Sequence, residues 1–197
     1  MAKLVFSHMV SLDGFCAGPG GVLDRLPMGP AFDRHNLELL RGAGTLLFGR
    51  LTFELFQDFW PRLAQDPPAD DPVLAEIATR VARADKLVVS DGLTLSADAP
   101  WRDATVLRRA QAHAAIRALK ASAPRDLLAY GSRRLMQGLL AEGLVDELRL
   151  LVANVLLGEG QRLFEVAPPP LRLELLEQRR LADSELVLLR YACSAEA

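Results

Sequence analysis

A short apolar run, a glycine–serine pair and an amphipathic segment follow one another in residues 127–142, and their order predicts an anion site. Residues 127–130 form the apolar run, and Gly131 and Ser132 follow at once. Leucines then recur at helical spacing. A turn between a strand and a helix presents free backbone N–H groups and the positive end of the helix dipole, which suit a phosphate. Arg133 opposes that dipole in the first helical turn and is better explained by an anion that faces it.

A second motif combines a glycine, a guanidinium and a hydroxyl at the start of another helix, in Gly49, Arg50 and Thr52. Backbone N–H groups, charge and side chain can together bind phosphate there. A helix N-terminus with a surface arginine is the structural alternative, and the motif alone favours that alternative. Ser90 ends an apolar strand and either contacts a phosphate or caps a turn. Alone, it favours the cap.

Asp13 and Asp33 are the candidate acids. Asp13 follows the first strand and forms a good turn pair with Gly14. Asp33 lies near the start of a helix, where the dipole favours a carboxylate in any case. Each therefore has a structural explanation beside a catalytic one. The sequence contains no nucleophile elbow, P-loop or paired-carboxylate spacing to decide between them.

The histidines and cysteines are too scattered to predict a metal centre. His8, His35 and His113 lie far from one another and from any cysteine at ligand spacing, so we expect three partly buried or surface histidines and no structural zinc. Cys16 and Cys193 stand at opposite ends of the chain. Two free thiols in a reducing cytoplasm are the simplest interpretation, and a disulfide between them stays open.

The composition predicts a single globular domain over residues 1–197. Half of the residues are apolar, at 50%, which is enough to fill one core. The formal net charge of −2 favours neither nucleic acid nor an anionic membrane as a partner. The apolar stretches are too short to span a bilayer, and the N-terminal residues are interpreted as a first strand, not a signal peptide. We expect a cytoplasmic protein with a small-molecule partner.

The elements that position these motifs alternate in type. Strands are predicted at residues 4–10, 45–48, 86–90, 127–130 and 148–152. Helices are predicted at residues 31–41, 52–59, 73–84 and 110–121, and in the segment that Gly143 closes. This alternation predicts an α/β fold with a mostly parallel central sheet.

Several connections are also predicted. Residues 16–30 are rich in glycine and proline and predict a loop, and Trp60-Pro61 is predicted to end the second helix. Residues 158–160 predict a turn between strands. The prolines at 168–170 predict a stiff connector. After it, residues 171–179 and 185–192 predict an antiparallel C-terminal hairpin.

Ligands of open parallel sheets bind beyond the carboxyl ends of the strands. Four turn motifs fall at such ends, namely residues 11–14, 49–52, 90–91 and 131–132. The sequence therefore predicts one binding cleft that is assembled from all four turns.

In this order the motifs resemble the dihydrofolate reductase-like superfamily. The resemblance is to its bacterial branch, similar to the C-terminal reductase domain of the riboflavin-biosynthesis deaminase-reductase. It covers nearly the whole chain and rests on Trp101 and on SLDG at 11–14, LLFGRLTFE at 46–54, FW-P at 59–61, KLVVS at 86–90, YGS at 130–132, GLVDELRL at 143–150 and LLGEGQRLF at 156–164. The resemblance implies a three-layer dihydrofolate reductase-like fold.

The resemblance also implies an NADPH site and assigns residues to it. Those implied to hold the adenosine phosphates are Gly49, Arg50, Thr52 and Ser90. Those implied to cradle the pyrophosphate are Gly131, Ser132 and Arg133.

On the same resemblance, Met9 and Ser11 line the nicotinamide and Asp13 follows beside it. Asp33 lies where folate reductases place the carboxylate that grips the pterin. The implied activity is NADPH-dependent transfer of hydride to a C=N or C=O carbon of a small pterin- or pyrimidine-like heterocycle.

Two alternatives stay open. One is a non-catalytic nucleotide-binding protein on the same fold, because no unmistakable catalytic acid is visible. The other is a pyrimidine reductase of riboflavin biosynthesis. Ala129 disfavours it, because those reductases usually carry an acidic residue at this position, and the 197 residues hold no deaminase domain.

The apolar C-terminal hairpin predicts a homodimer, because it offers more strand surface than a sheet edge usually leaves bare. Relatives of this fold branch also tend to pair, so part of this expectation rests on the resemblance.

Overall fold

A central β-sheet and five helices make up the fold in the computed structural model, which describes residues 1–165 and 171–193. The strands are β1 Leu4–Ser11, β2 Phe15–Ala17, β3 Ala43–Gly49, β4 Asp85–Val89, β5 Thr105–Leu107, β6 Asp126–Tyr130, β7 Glu147–Ala153, β8 Gln161–Arg162, β9 Leu173–Arg180 and β10 Val187–Cys193. The helices are α1 Pro30–Gly42, α2 Arg50–Gln65, α3 Pro72–Arg83, α4 Arg109–Ser122 and α5 Arg133–Ala141. A 3₁₀ turn covers Pro19–Gly21.

Eight strands form the main sheet in the order β5-β4-β3-β6-β1-β7-β10-β9. The first six of these are parallel to their neighbours. β10 runs antiparallel to β7, and β9 runs antiparallel to β10. The α/β class, the mostly parallel sheet and the C-terminal hairpin are therefore confirmed.

Helices cover both faces of the sheet, which gives three layers. On one face, Ile116 of α4 and Met136 of α5 pack with Phe6 of β1 in one core cluster. On the other face, Phe53 of α2 and Phe48 of β3 belong to a second cluster, to which α1 and α3 also contribute. Because β1, β3, β4 and β6 contribute side chains to both clusters, the ends of these four strands are fixed with respect to the helices.

Gly143 ends α5 as predicted. Its φ of +62° is in the left-handed region that favours glycine. Its N–H donates to the Leu140 carbonyl at 3.0 Å, and the next N–H, of Leu144, donates to the Leu139 carbonyl at 2.9 Å. This pair of bonds is a Schellman motif, which satisfies helix carbonyls that would otherwise lack donors.

The prediction that Trp60-Pro61 ends the second helix is wrong, because α2 continues through Pro61 to Gln65. Proline has a backbone φ that a helix tolerates, although it leaves the carbonyl four residues earlier without its helical donor. Aromatic packing offsets this loss. The Phe56 ring lies 5.1 Å from the Phe48 ring and 6.0 Å from the Trp60 ring, centroid to centroid.

Three short strands were not predicted. β5 is a three-residue strand on the edge of the sheet beside β4. β2 and β8 form a small antiparallel sheet of their own. β2 lies at the start of the loop predicted at residues 16–30, and β8 directly follows the turn predicted at residues 158–160. Strands of two or three residues are too short to show a hydrophobic period. The prolines predicted as a connector at 168–170 lie outside the described residues.

The histidines are more buried than predicted. His8 and His35 are buried, at 4% and 2% exposed, and only His113 is partly exposed. Cys16 and Cys193 are both free thiols, as expected. In residues 1–165 and 171–193, no group of three or more histidine, cysteine or acidic side chains could hold a metal ion. No helix of the same residues is long and apolar enough to cross a membrane.

Candidate active site

Two of the predicted turns lie side by side at the carboxyl edge of the sheet, because β3 and β6 are hydrogen-bonded neighbours. β3 ends at Gly49 and leads directly into α2. β6 ends at Tyr130 and leads through Gly131 and Ser132 into α5. The sequence placed both motifs at strand ends, and the sheet order now makes them adjacent.

Two hydrogen bonds join these turns. The Gly49 N–H donates to the Ser132 Oγ at 2.9 Å, and the Ser132 N–H donates to the Thr52 Oγ1 at 3.1 Å. We call these three residues, Gly49, Thr52 and Ser132, the turn clip. The clip fixes the start of α2 against the start of α5, so the two helix ends form one surface.

The backbone of the second turn is in an unusual conformation. Gly131 has φ +55° and Ser132 has φ +53°, so two consecutive residues are left-handed. A Cβ on Gly131 would lie 3.4 Å from the Thr52 Oγ1. A left-handed residue other than glycine costs about 1–2 kcal/mol. The turn clip offsets this cost at Ser132, because it bonds both the N–H and the hydroxyl of that residue.

Neither helix start is capped by a side chain. Gly49 and Ser132 occupy the N-cap positions of α2 and α5, and neither makes a side-chain capping bond. The first N–H groups of each helix therefore have no partner in their own helix. Two uncapped helix starts side by side concentrate N–H donors and positive dipole ends. Such an arrangement can bind two linked phosphates.

The two arginines of these turns differ in availability. The Arg50 side chain is 53% exposed, and its Nη1 lies a loose 3.9 Å from the Glu54 Oε1. The Arg133 side chain is only 9% exposed, and its Nη1 lies 2.7 Å from the Glu165 Oε2. Arg50 is therefore free to reach an anion, whereas Arg133 already has a carboxylate partner.

Ser90 caps a turn in this structure. It is buried at the end of β4, and its Oγ accepts from the Gly92 N–H at 3.3 Å and from the Leu93 N–H at 3.0 Å. These bonds use the acceptor capacity of the hydroxyl. The hydroxyl proton of Ser90 is not used in these bonds and can be donated to a phosphate oxygen of a ligand.

Ser11 and Asp13 hold a loop at the ends of β1 and β7. The Ser11 Oγ donates to the Asp13 Oδ1 at 2.6 Å and accepts from the Phe15 N–H at 2.9 Å. Asp13 also accepts from the N–H groups of Leu157 at 3.1 Å and Gly158 at 2.7 Å. These bonds, above all the one from Ser11, lower the pKa of Asp13 to about 2. Asp13 is therefore an ionised loop organiser, poorly suited to deliver a proton near neutral pH.

Asp33 is in a contrasting environment. It lies in the first turn of α1, half-buried, and no residue of the described chain hydrogen bonds to its carboxylate. Burial raises the pKa of Asp33, the nearby Asp71 raises it further, and Arg34 opposes both. No hydrogen bond joins Asp33 to the group around Asp13. A carboxylate with a raised pKa can hold a proton closer to neutral pH.

The family follows from comparison with known proteins, because a model of the RibD C-terminal domain matches residues 2–187. The chain belongs to the RibD C-terminal domain family. It is also 28% identical over 182 residues to the uncharacterized protein YyaP of Bacillus subtilis, across 92% of this chain and 90% of that protein.

Two solved structures show the same fold. RibD of Acinetobacter baumannii superposes with a TM-score of 0.68 at 19% identity, over 98% of this chain and 58% of its own. Dihydrofolate reductase of Enterococcus faecalis superposes with a TM-score of 0.55 at 13% identity, over 97% of this chain and 94% of its own. The resemblance to dihydrofolate reductase-like proteins is thus confirmed for the fold, and family membership supports a reductase on it.

In this RibD C-terminal domain, Met9 and Tyr130 complete the surroundings of the strand ends. Met9 is partly buried and packs in the same cluster as Phe32, which precedes Asp33 on α1. The Tyr130 hydroxyl donates to the Asn36 carbonyl at 3.0 Å, and its ring stacks 6.0 Å from the Phe56 ring. Burial raises the pKa of Tyr130, so its hydroxyl stays protonated.

Sequence reasoning missed Tyr130 as a residue of this site. The tyrosine joins β6 to α1 through its hydrogen bond to Asn36 and to α2 through its ring contact with Phe56. Its one sequence signal was a hydroxyl-bearing side chain immediately before the turn glycine.

Proposed function

We propose that this RibD C-terminal domain is an NADPH-dependent reductase that transfers hydride to a C=N or C=O carbon of a small pterin- or pyrimidine-like heterocycle. Family membership supports reductase chemistry. The observation that carries the cofactor assignment is the pair of uncapped helix starts held together by the turn clip. That surface matches the pyrophosphate of a dinucleotide in charge and in hydrogen-bond donors.

The residues present fit NADPH. Gly131 keeps the backbone of its turn bare, so a pyrophosphate can approach the first N–H groups of α5. Arg50 is an exposed cation at the start of α2 and would bind the additional phosphate of the adenosine ribose, with Ser90 donating its remaining hydroxyl proton. Arg133 would add positive potential from its ion pair with Glu165. Bound NADPH supplies the hydride from its nicotinamide ring.

The domain's own side chains would orient the substrate and hold the proton. In this proposal Met9 and Ser11 line the nicotinamide end of the cleft, where β1 ends. Asp33 orients or protonates the substrate from the start of α1, consistent with its raised pKa. Asp13 keeps the adjoining loop in place through its bonds to Leu157 and Gly158.

Calorimetric titration with NADPH and NADH tests the cofactor assignment. We expect NADPH to bind more tightly than NADH. Arg50→Ala should weaken NADPH about tenfold or more and leave NADH nearly unchanged, because a charge-assisted contact is worth about 1.5–3 kcal/mol. Arg62→Ala is the matched control, since Arg62 lies on the same helix with an exposed i,i+4 ion pair of its own to Asp58.

The outcomes separate the possibilities. An equal loss of both cofactors in Arg50→Ala would place this arginine on the shared pyrophosphate. A domain that binds neither cofactor would contradict the proposal as a whole. NADPH consumption over a panel of pterins and pyrimidines then tests turnover.

A non-catalytic nucleotide-binding protein is the second candidate. It is favoured by the state of Asp13, one of the two candidate acids, which is ionised and fully used in holding a loop. Tight NADPH binding with no turnover on any member of the panel, together with unchanged binding in Asp33→Asn, would favour this candidate.

A pyrimidine reductase of riboflavin biosynthesis is the third candidate and the weakest. Ala129 is fully buried in the core between strands, in the place where those reductases usually carry an acid. A carboxylate there would have to be buried without a partner in this core, which is costly.

We propose further that the domain pairs with a second copy of itself through the C-terminal hairpin. β9 is the last strand of the sheet, and in the described residues no strand covers its outer edge. Leu173, Leu175 and Leu176 of β9 are 36% to 49% exposed. Bare edges with apolar side chains favour strand or face pairing. Sedimentation that shows a monomer at micromolar concentration would contradict the dimer.

A further inference from the structure

A second concave surface lies along β4 and β5, apart from the turn clip. It is a groove of about 460 Å³ that contains none of the residues proposed to bind the cofactor. The residues that line it include Thr45, Arg83, Lys86, Trp101, Asp103 and Leu119. Lys86 is the nucleophilic side chain among them.

Lys86 is a buried amine without a carboxylate partner. The residue is 9% exposed, and its Nζ donates to the Ala82 carbonyl at 2.6 Å. The Nζ also lies 4.7 Å from the centroid of the Trp101 ring. In the described part of the chain, no carboxylate oxygen lies within 4.0 Å of it. Lys120 is also buried, at 5% exposed, but its ammonium is paired with a carboxylate, because its Nζ lies 2.6 Å from the Asp146 Oδ2.

The charges around Lys86 come from three elements. Asp85 precedes it on β4, Asp103 follows Trp101 in the next loop, and Arg83 ends α3 at the rim of the groove. Burial lowers the pKa of Lys86 to about 8, and the attraction of Asp103 and Asp85 only partly opposes it. At pH 7.5 roughly a quarter of such amines are neutral, compared with about 0.1% for an ordinary lysine.

From this cluster we propose that Lys86 is a covalent acylation site whose acyl donors are small acyl phosphates. The groove provides access for the donor, and the Lys86 amine, which has no carboxylate partner, provides the nucleophile. The amine nitrogen forms a bond to the acyl carbon, and the bond from that carbon to the phosphate oxygen breaks. Phosphate leaves with the electron pair, and the amine proton passes to solvent.

The product is favoured by the same burial that activates the amine. An amide carries no charge, so acylation removes the penalty of a buried ammonium without a counter-ion. It also removes the cation–π contact with Trp101. The proposal does not depend on the reductase function, because the groove and the cofactor residues are separate.

The three lysines of the chain give an internal comparison, since Lys3 is exposed and Lys120 is locked in an ion pair. The full-length protein is incubated with acetyl phosphate from pH 6.5 to 9.5, and acetylation of each lysine is quantified by peptide mass spectrometry. At pH 7.5 we expect Lys86 to react at least tenfold faster than Lys3, with a rate profile that has its midpoint near pH 8. Lys120 should stay unmodified.

Denatured protein is the matched control, because unfolding removes the groove and should equalise the three lysines. Reaction of Lys3 at least as fast as Lys86 in the native protein would overturn the proposal. So would a preference for Lys86 that persists in denaturant, since it would then come from the local sequence.

Trp101 gives a second readout that does not require a Lys86 variant to fold. The chain has two tryptophans, so Trp60→Phe leaves Trp101 as the reporter. We expect the fluorescence of Trp101 to change in step with acetylation of Lys86. Acetylation of Lys86 without any change in fluorescence would overturn the proposal, because the amine that reacts would then not be one that lies over this ring in the groove.

Discussion

Replacing Thr52 by valine removes one acceptor from the turn clip with almost no change in side-chain volume. The Ser132 N–H, which donates to the Thr52 Oγ1 at 3.1 Å, then has no protein partner. Leaving a donor unpaired costs about 1–3 kcal/mol when water is excluded. Ser132 is only partly buried, so water can take over part of the bond and the lower limit applies. We expect a loss of ~1 kcal/mol in the free energy of unfolding.

This loss is measurable as a fall of about 2–4 °C in Tm for a domain of this size. Urea unfolding and calorimetry of Thr52→Val give the two values independently. Thr79→Val is the control, because Thr79 is an exposed helix residue whose hydroxyl donates at 3.0 Å to the Ala75 carbonyl four residues earlier. It should cost nearly nothing. Thr52→Ser keeps the hydroxyl and should restore most of the stability.

Cofactor binding should respond as well. The clip holds Ser132 in its left-handed conformation. Without the clip, part of the free energy of NADPH binding is used to order the turn. A penalty of ~1 kcal/mol raises Kd about fivefold. Thr52→Val that is no less stable than Thr79→Val, or Thr52→Ser that fails to recover, would refute the reasoning about the clip. A lower Tm with unchanged NADPH affinity would limit the clip to a folding role.

Three further predictions concern single residues. Gly131→Val should abolish NADPH binding and lower Tm by a few degrees, because a β-branched residue resists φ +55°, whereas Gly138→Val in the open middle of α5 should bind normally. Asp33→Asn and Asp13→Asn should change the free energy of unfolding at pH 7 in opposite directions. The pKa of Asp33 is raised, so its ionisation destabilises the fold above that pKa, and Asp33→Asn should be stabilising. The pKa of Asp13 is lowered, so its charge stabilises the fold above about pH 4, and Asp13→Asn should be destabilising. Denaturant titrations at pH 3 and 7 check both, and a gain in Asp13→Asn at pH 7 would be incompatible with its bonds to the loop. Burial lowers the pKa of His8 to about 4, so the free energy of unfolding should fall as the pH drops from 6.5 to 4. His8→Leu should make this pH-dependent fall smaller by ~3 kcal/mol.

The positions of the site motifs could be predicted from sequence because each follows a strand whose apolar run is visible. Gly49 ends a strand of strong hydrophobic pattern and Gly131 directly follows another, and in a parallel sheet such ends share one edge. The helix stop at Gly143 was likewise readable, since a single residue type favours a left-handed cap. These are local signals, each contained in a few neighbouring residues.

What the sequence did not reveal depends on contacts between distant segments. Nothing near Ser132 indicates that its two hydrogen bonds go to Gly49 and Thr52. Pro61 looks like a helix stop until the packing of Phe56 and Trp60 is known. The Asp13 carboxylate accepts hydrogen bonds from the N–H groups of Leu157 and Gly158, which lie far along the chain. Periodicity and propensity carry no information on such pairs.

The turn clip also bears on the order of events when the chain folds. Its two bonds connect residues 83 and 80 positions apart in sequence, so they form only once β3 and β6 are side by side. Contacts of such separation are entropically expensive and arise slowly. A partly folded chain therefore lacks the paired helix starts altogether, and with them the surface that we propose binds the dinucleotide. Any ligand that binds there stabilises the folded chain against unfolding, since it binds only chains whose central strands are already paired.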